Sequence, residues 1–191
     1  MNNLILLGPP GCGKGTQSKI LVQNKNYFQI STGDLLRQSV SSGSEQGKNI
    51  KKIMEKGELV PDSMVIGMIL DVFEKEKKKN FIFDGFPRNI NQAEQLTKSM
   101  NENKMNIDFV IFINVSLDLL EQRINKRNQE SDKSNIRKDD NVKTLLKRIE
   151  VYKNMTYPLL DYYRKQEILW EIDGMQSIEN VSKKIYEIIE N

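Results

Sequence analysis

The sequence predicts an α/β protein, a five-stranded parallel sheet flanked by helices. Short runs of β-branched, aliphatic and aromatic residues alternate with amphipathic stretches, the pattern of strands joined by helical crossovers. A glycine-rich turn joins the first apolar run to the first helical stretch, as at a βα junction in such folds. At 191 residues, the chain suits one domain with room for a small insertion.

The strands are expected at 3–7, 28–31, 81–84, 109–114 and 169–172, each short, the first of them apolar on both faces. Between the first two, Gln17-Ser18-Lys19-Ile20-Leu21-Val22 reads as a helix. After the second, Ser31 or Thr32 caps a helix through Arg37, and Ser44 caps another that ends near Gly57. A third helix restarts after Val60-Pro61-Asp62-Ser63, with Val65, Met68, Ile69, Val72 and Phe73 along one face. Residues 75–79 are a charge run, read as a solvated helix end.

Beyond the fourth strand, Ser116 caps a helix that carries Arg123 and Arg127 on one face. Residues 128–135 are polar and non-periodic, a surface loop, and Asp139 or Asp140 caps the helix that carries Arg148. Pro158 lies inside that helical pattern and predicts a kink. A final helix follows Gly174, with Ile178, Val181, Ile185 and Ile188 as its apolar face.

The turn itself is Gly8-Pro9-Pro10-Gly11-Cys12-Gly13-Lys14-Gly15-Thr16. Such a loop turns successive backbone N–H groups, and the positive end of the helix, into one concavity that suits an anion. Lys14 adds a mobile point charge for the β- and γ-phosphates of a nucleotide, although cations are otherwise disfavoured at a helix N-terminus. The general phosphate-loop pattern places Ser or Thr directly after the lysine; here that slot is Gly15, with Thr16 one residue later. Cys12 reads either as a thiol activated by the helix end or as a small residue that fits.

Composition narrows the chemistry. The net charge of +3 gives no electrostatic case for nucleic acid or a membrane surface, and no apolar run reaches transmembrane length. With a first strand beginning at residue 3, no signal or transit peptide is expected. A single cysteine excludes an internal disulfide and a multi-cysteine zinc site, so a reducing, cytoplasmic setting is expected. With no histidine in the chain, there is no imidazole base and no histidine-based metal site. Lysines outnumber arginines 22 to 7, so each arginine is a candidate for a site that needs a planar, bidentate fork. Phe81-Ile82-Phe83-Asp84 runs an apolar strand into a carboxylate. If its strand neighbours the first, Asp84 stands near the phosphate loop, as a magnesium-holding carboxylate or as a turn residue before Gly85.

Four separated motifs in order, Gly8 to Thr16, Ser31-Thr32-Gly33-Asp34, Gly85-Phe86-Pro87-Arg88 and Arg137-Lys138-Asp139-Asp140, resemble the nucleoside monophosphate kinases, most closely adenylate kinases with the short lid. The resemblance runs from the first strand to the last helix. It implies a phosphate-loop NTPase fold with a core of 1–30, 61–126 and 141–191, an insert at 31–60 that binds the monophosphate, and a short lid at 127–140. It implies a monomer that transfers a phosphoryl group from ATP to AMP with Mg²⁺ and without structural zinc.

By the same resemblance, Gly11, Cys12, Gly13, Lys14, Gly15 and Thr16 cradle the ATP phosphates. Arg123 lies against the ATP adenine, Arg127 reaches the phosphates, and the backbone near Gln176 touches the base. Arg37 and Arg88, within Gly85-Phe86-Pro87-Arg88, grip the AMP phosphate. Arg137 and Arg148 bracket the transferring group. Thr32, the backbone of Glu58, Leu59 and Val60, and Gln92 hold the AMP base, and Asp84 holds Mg²⁺ through water. Lys14, Arg88, Arg127, Arg137 and Arg148 are the expected catalytic set, with Arg164 left as a surface residue. Gln92 and Thr32-Gly33 resemble the AMP-selective enzymes, whereas Asn89 resembles the UMP/CMP kinases. A GTPase-like switch is disfavoured because neither Asp-x-x-Gly nor Asn-Lys-x-Asp occurs. Insert and lid are expected to close over the substrates, a motion for which adenylate kinases are a standard example.

Overall fold

The structure, a computed structural model, describes residues 2–76, 79–116, 119–120, 122–123 and 142–190. Its five strands are β1 (Leu4–Leu7), β2 (Tyr27–Ser31), β3 (Asn80–Asp84), β4 (Phe109–Asn114) and β5 (Leu169–Asp173). They form one parallel sheet, as the alternating pattern predicts, in the order β2-β3-β1-β4-β5. Because successive side chains on a strand point to opposite faces, each apolar run supplies two cores. Ile5, Leu7, Phe81, Phe83, Val110 and Phe112 face one layer, while Leu4, Leu6, Ile82, Ile111 and Ile113 face the other.

The first layer is covered by α4 (Asp62–Lys75), α5 (Ile90–Glu102) and α7 (Leu159–Arg164), through Val65, Ile69, Phe73, Leu96, Met100 and Leu160. The second is covered by α1 (Lys14–Lys25) and α8 (Ile178–Ile189), through Leu21, Val181, Ile185 and Ile189. Ile178 departs from the expected apolar face: it is exposed, and Ile189 takes the buried position. The face it was assigned to reaches past the edge of the core and into the cleft described below.

Between β2 and α4 the chain makes two helices, α2 (Thr32–Ser41) and α3 (Glu45–Glu55). Ser31, not Thr32, is the cap of α2, accepting from the Asp34 N–H, and Ser44 caps α3 by accepting from Gly47. Gly57 follows the end of α3 at φ 74° and donates to the Met54 carbonyl, the left-handed terminator its position implied.

The helix expected to kink at Pro158 is broken instead. α6 (Val142–Val151) passes into a π-helical turn, Tyr152–Thr156, before α7 begins. The Tyr157 N–H bonds five residues back to the Tyr152 carbonyl, and proline, with no N–H of its own, cannot resume the ordinary ladder.

Asn3 joins the starts of three strands. Its side-chain oxygen accepts from the buried Phe81 N–H at 3.1 Å, and its amide donates to the Asn106 carbonyl at 2.8 Å. Its backbone N–H donates to Asp108 at 2.6 Å. Asn3→Ala is therefore expected to leave a buried N–H unpaired and cost about 1–3 kcal/mol of stability, read by urea unfolding. An unchanged midpoint would contradict this.

Candidate active site

The strand order puts β1 at the sheet centre with β3 on one side and β4 on the other. The chain leaves β1 toward β2 and later crosses to β4, so a crevice opens beyond the carboxyl end of β1. The phosphate loop occupies that place. Gly8 has φ 148°, and a Cβ there would stand 2.6 Å from the Cys12 Sγ and 2.7 Å from the Ile113 carbonyl oxygen. Only glycine fits such a backbone approach. Gly13, at φ 109°, caps α1, and its carbonyl accepts from the N–H groups of Thr16 and Gln17. The N-terminal end of α1 is thus aimed into the crevice, as the sequence implied.

Lys14 lies back across its own loop, donating to the Gly8 carbonyl at 2.7 Å and the Pro9 carbonyl at 3.1 Å. Its ammonium is 3.5 Å from the Cys12 Sγ. Cys12 is only 2 % exposed. Of its two readings, that burial supports the small residue that fits, since reactive thiols need access.

Leu6 stands opposite Asp84 in the β1–β3 register, meeting the condition for a carboxylate beside the loop. Asp84 Oδ2 accepts from the Gln29 side chain at 2.8 Å and lies 3.6 Å from where a Gly15 Cβ would be. The slot that lacks a hydroxyl therefore faces this carboxylate. Burial raises the Asp84 carboxyl above its ordinary value, and the Lys14 charge, the Gln29 bond and Arg88 offset only part of that.

The crevice is a cleft of about 740 Å³ whose wall includes Gly11 to Thr16, Arg37, Glu58 to Val60, Asp84, Gly85, Pro87, Arg88, Arg123, Arg148 and Gln176. Each expected residue type arrives on its own element. Arg37 rises from α2, paired with Asp34 at 2.6 Å, and curls over Gly33. Arg88 stands at the end of the β3 loop, its Nε donating to the Gly85 carbonyl at 2.8 Å. Arg148 comes from α6, its stem against Gly57. Arg123 donates to the Cys12 carbonyl at 3.0 Å and to the Gly174 carbonyl at 2.7 Å, tying the phosphate loop to the end of β5. Lys14, Lys19, Arg37, Arg88, Arg123 and Arg148 face Asp34, Glu58 and Asp84, an excess of positive charge in a concave site.

Three expected residues stand behind the wall rather than on it. Thr32, Phe86 and Gln92 are at most 3 % exposed. Thr32 Oγ1 donates to the Asp84 carbonyl at 3.4 Å, and Phe86 belongs to the core and precedes a cis peptide to Pro87. Gln92 accepts from the Arg88 N–H at 2.7 Å and donates to Asp62 at 2.7 Å. Arg127, Arg137, Asp139 and Asp140 lie outside the described residues. Arg164 is the surface residue expected, ion-paired with Asp161 and, at 2.6 Å, with Glu171.

Sequence reasoning passed over Gln29, Gln17, Tyr152 and Thr156. Gln29 carried a signal, a polar side chain inside a strand. Gln17 joins α1 to α8, donating to the Ile178 carbonyl and accepting from the Ser182 hydroxyl. Thr156 donates to the Arg88 carbonyl at 2.8 Å, and with Tyr152 it lines the cleft. Only Pro158 hinted at the turn that brings both there. Among the described residues, no group of three or more Cys, Asp or Glu could hold a metal, and no helix is long and apolar enough to cross a membrane.

Known proteins match this arrangement across the chain. The family model for adenylate kinase matches residues 6–168. The chain is 42% identical to an adenylate kinase of Archaeoglobus fulgidus, over 98% of each protein. It is 44% identical to one from Parvibaculum lavamentivorans, over 97% of this chain and 91% of that one, and 45% identical to one from a Caulobacter species, over 96% and 95%. With the phosphate loop, the carboxylate of β3 and the arginines converging on one cleft, and with similarity of this extent, the chain belongs to the adenylate kinase family.

Proposed function

We propose that this cleft holds ATP and AMP end to end and transfers the terminal phosphoryl group of MgATP reversibly to AMP, giving two ADP. The single observation that carries the reading is the convergence of the α1 N-terminus, Lys14 and four arginines on one concave wall. In the forward direction, an AMP phosphate oxygen bonds to the γ-phosphorus while its bond to the β–γ bridging oxygen breaks. The electron pair leaves on the β-phosphate of the new ADP. The acceptor oxygen is already largely ionised, since the second pKa of a phosphomonoester is about 6. No side-chain base is required, which suits a chain without histidine.

The protein's task is then alignment and charge neutralisation. The N–H groups of Gly11 to Thr16 and the Lys14 ammonium, turned from its own carbonyls, hold the ATP phosphates. Arg37 and Arg88 hold the AMP phosphate, and Arg148 lies at the transferring group. Arg127 and Arg137 join them by family resemblance, as do Arg123 and Gln176 at the ATP base. Thr32, Gln92 and the backbone of Glu58 to Val60 serve the AMP base, Gln92 through an amide edge at the rear of the wall.

Asp84 offers a hard cation an oxygen ligand beside the loop, and a bound cation would offset the burial that disfavours its ionised form. Mg²⁺ bound with ATP would be held there through water and would neutralise charge on the β- and γ-phosphates. Residues 31–60 and 127–140 form the monophosphate-binding insert and the lid, closing to keep water from the phosphoryl group. A monomer in the cytoplasm, without nucleic acid or membrane partners, completes the proposal.

An ADP-release assay with AMP, CMP, UMP and GMP should show AMP strongly preferred. Turnover independent of any monophosphate would overturn the reading, and preference for CMP or UMP would move the chain to the neighbouring kinases. Lys14→Ala and Arg88→Ala should each lower kcat roughly a hundredfold or more, because both stabilise transition-state charge. With saturating substrates, kcat should stay level above about pH 7 and fall only as the acceptor phosphate protonates near its pKa of about 6. A second ionisation on the acidic limb, with kcat still rising well above about pH 7, would reveal a protein base and refute the mechanism.

A further inference from the structure

Asp62, the first residue of α4, collects three side-chain amides from the start of α5. Asn89 Nδ2 donates to its two oxygens at 2.9 and 3.1 Å, Asn91 Nδ2 at 2.8 Å, and Gln92 Nε2 at 2.7 Å. Burial pushes the Asp62 carboxyl up, but the donors Asn91, Asn89 and Gln92 outweigh it and hold the carboxyl below its ordinary value. The carboxylate is therefore charged across the neutral range.

The consequence falls on Gln92. A carboxylate can only accept, and a backbone N–H can only donate. Gln92 stands between one of each, with Asp62 on its nitrogen and the Arg88 N–H on its oxygen. Turning the amide over would set two donors together at Arg88 and two acceptors together at Asp62. The Gln92 backbone N–H is also held, by the Asn89 side-chain oxygen at 2.8 Å. One N–H and one lone pair of the amide remain, in a fixed order.

A fixed order of donor and acceptor distinguishes purines of equal size. Adenine presents a ring-nitrogen acceptor beside an amino donor, whereas hypoxanthine presents a ring N–H donor beside a carbonyl acceptor. An amide free to turn over could serve either; an amide held one way serves one. We propose that Asp62 is a positioning residue that locks the Gln92 amide and so sets the preference for a 6-amino over a 6-oxo purine monophosphate. This rests on the reading that Gln92 meets the base.

The test measures ADP formation from ATP with AMP or IMP as acceptor, for the wild type, Gln92→Ala, Asp62→Ala, Asp62→Glu and the Asp62→Ala/Gln92→Ala pair. Asp62→Ala should raise the KM for AMP about tenfold and narrow the AMP-over-IMP preference by a similar factor, the loss of one charge-assisted bond. The KM for ATP and the kcat at saturating AMP should stay near wild type. Asp62→Glu keeps a charge in the first turn of α4 but displaces the carboxylate, so it should shift both readouts in the same direction even if the alanine variant folds poorly. Once Gln92 is alanine, Asp62→Ala should cause no further change in the AMP/IMP ratio.

If Gln92→Ala alters the ratio while both Asp62 variants keep it, Asp62 merely ties α4 to α5 and the proposal is overturned. If Gln92→Ala leaves the ratio untouched, the base-facing assignment has failed and takes the proposal with it. A wild type that forms no ADP from ATP and AMP would instead refute the proposed function, a result visible before any variant is made.

Discussion

The pairing of β1 with both β3 and β4 is the constraint from which the site follows. A parallel sheet buried on both faces requires its central strand to be apolar throughout, and Leu4 to Leu7 meet that requirement at 3 % exposure or less. Where the strand ends, backbone polarity reappears, and glycines at positions 8, 11 and 13 turn it inward as an anion cup. The same register that sets Ile5 against Phe83 sets Leu6 against Asp84. Hydrophobic packing, with the Asn3 side chain joining the two strand starts, thereby places a carboxylate beside the cup.

Around this cup, the protein holds its cations in reserve on its own carbonyls. Lys14 rests on Gly8 and Pro9, Arg88 on Gly85, and Arg123 on Cys12 and Gly174. A buried cation without partners would be costly, and these carbonyl oxygens meet part of that need. A phosphate competes well for such groups, because an anionic acceptor makes the stronger, charge-assisted bond. Arg37 is paired with a carboxylate, Asp34, one turn earlier on α2. The cleft wall carries more cationic than anionic side chains and so suits polyanions.

Connections between elements give this arrangement its stiffness. Gln17 and Ser182 link the first helix to the last, Asn3 links three strand starts, and Thr156 links the π-helical turn to Arg88. In each case a buried polar side chain meets a partner distant in sequence, so position is specified where packing alone would permit sliding. The Asp62 cluster works in the same way between α4 and the Arg88 loop.

The sequence by itself determined the strands and their alternation, the phosphate loop, the caps at Ser31 and Ser44, and the terminator at Gly57. Each depends on residues a few positions apart, where periodicity and local hydrogen bonding leave a direct trace. The surplus of lysine singled out the arginines, and the cleft uses all those among the described residues except Arg164. Only the tertiary structure decided that Gln29 holds Asp84, that Gln92 is engaged behind the wall, that Ile178 leaves the core for the cleft, and that the helix at Pro158 is interrupted by a π turn. Those outcomes depend on partners distant in sequence, 55 residues for Gln29 with Asp84 and 30 for Gln92 with Asp62, or on which of two adjacent helical geometries packs better. Long-range pairing leaves no periodic signature along the chain, because the register that creates it exists only once the strands have met.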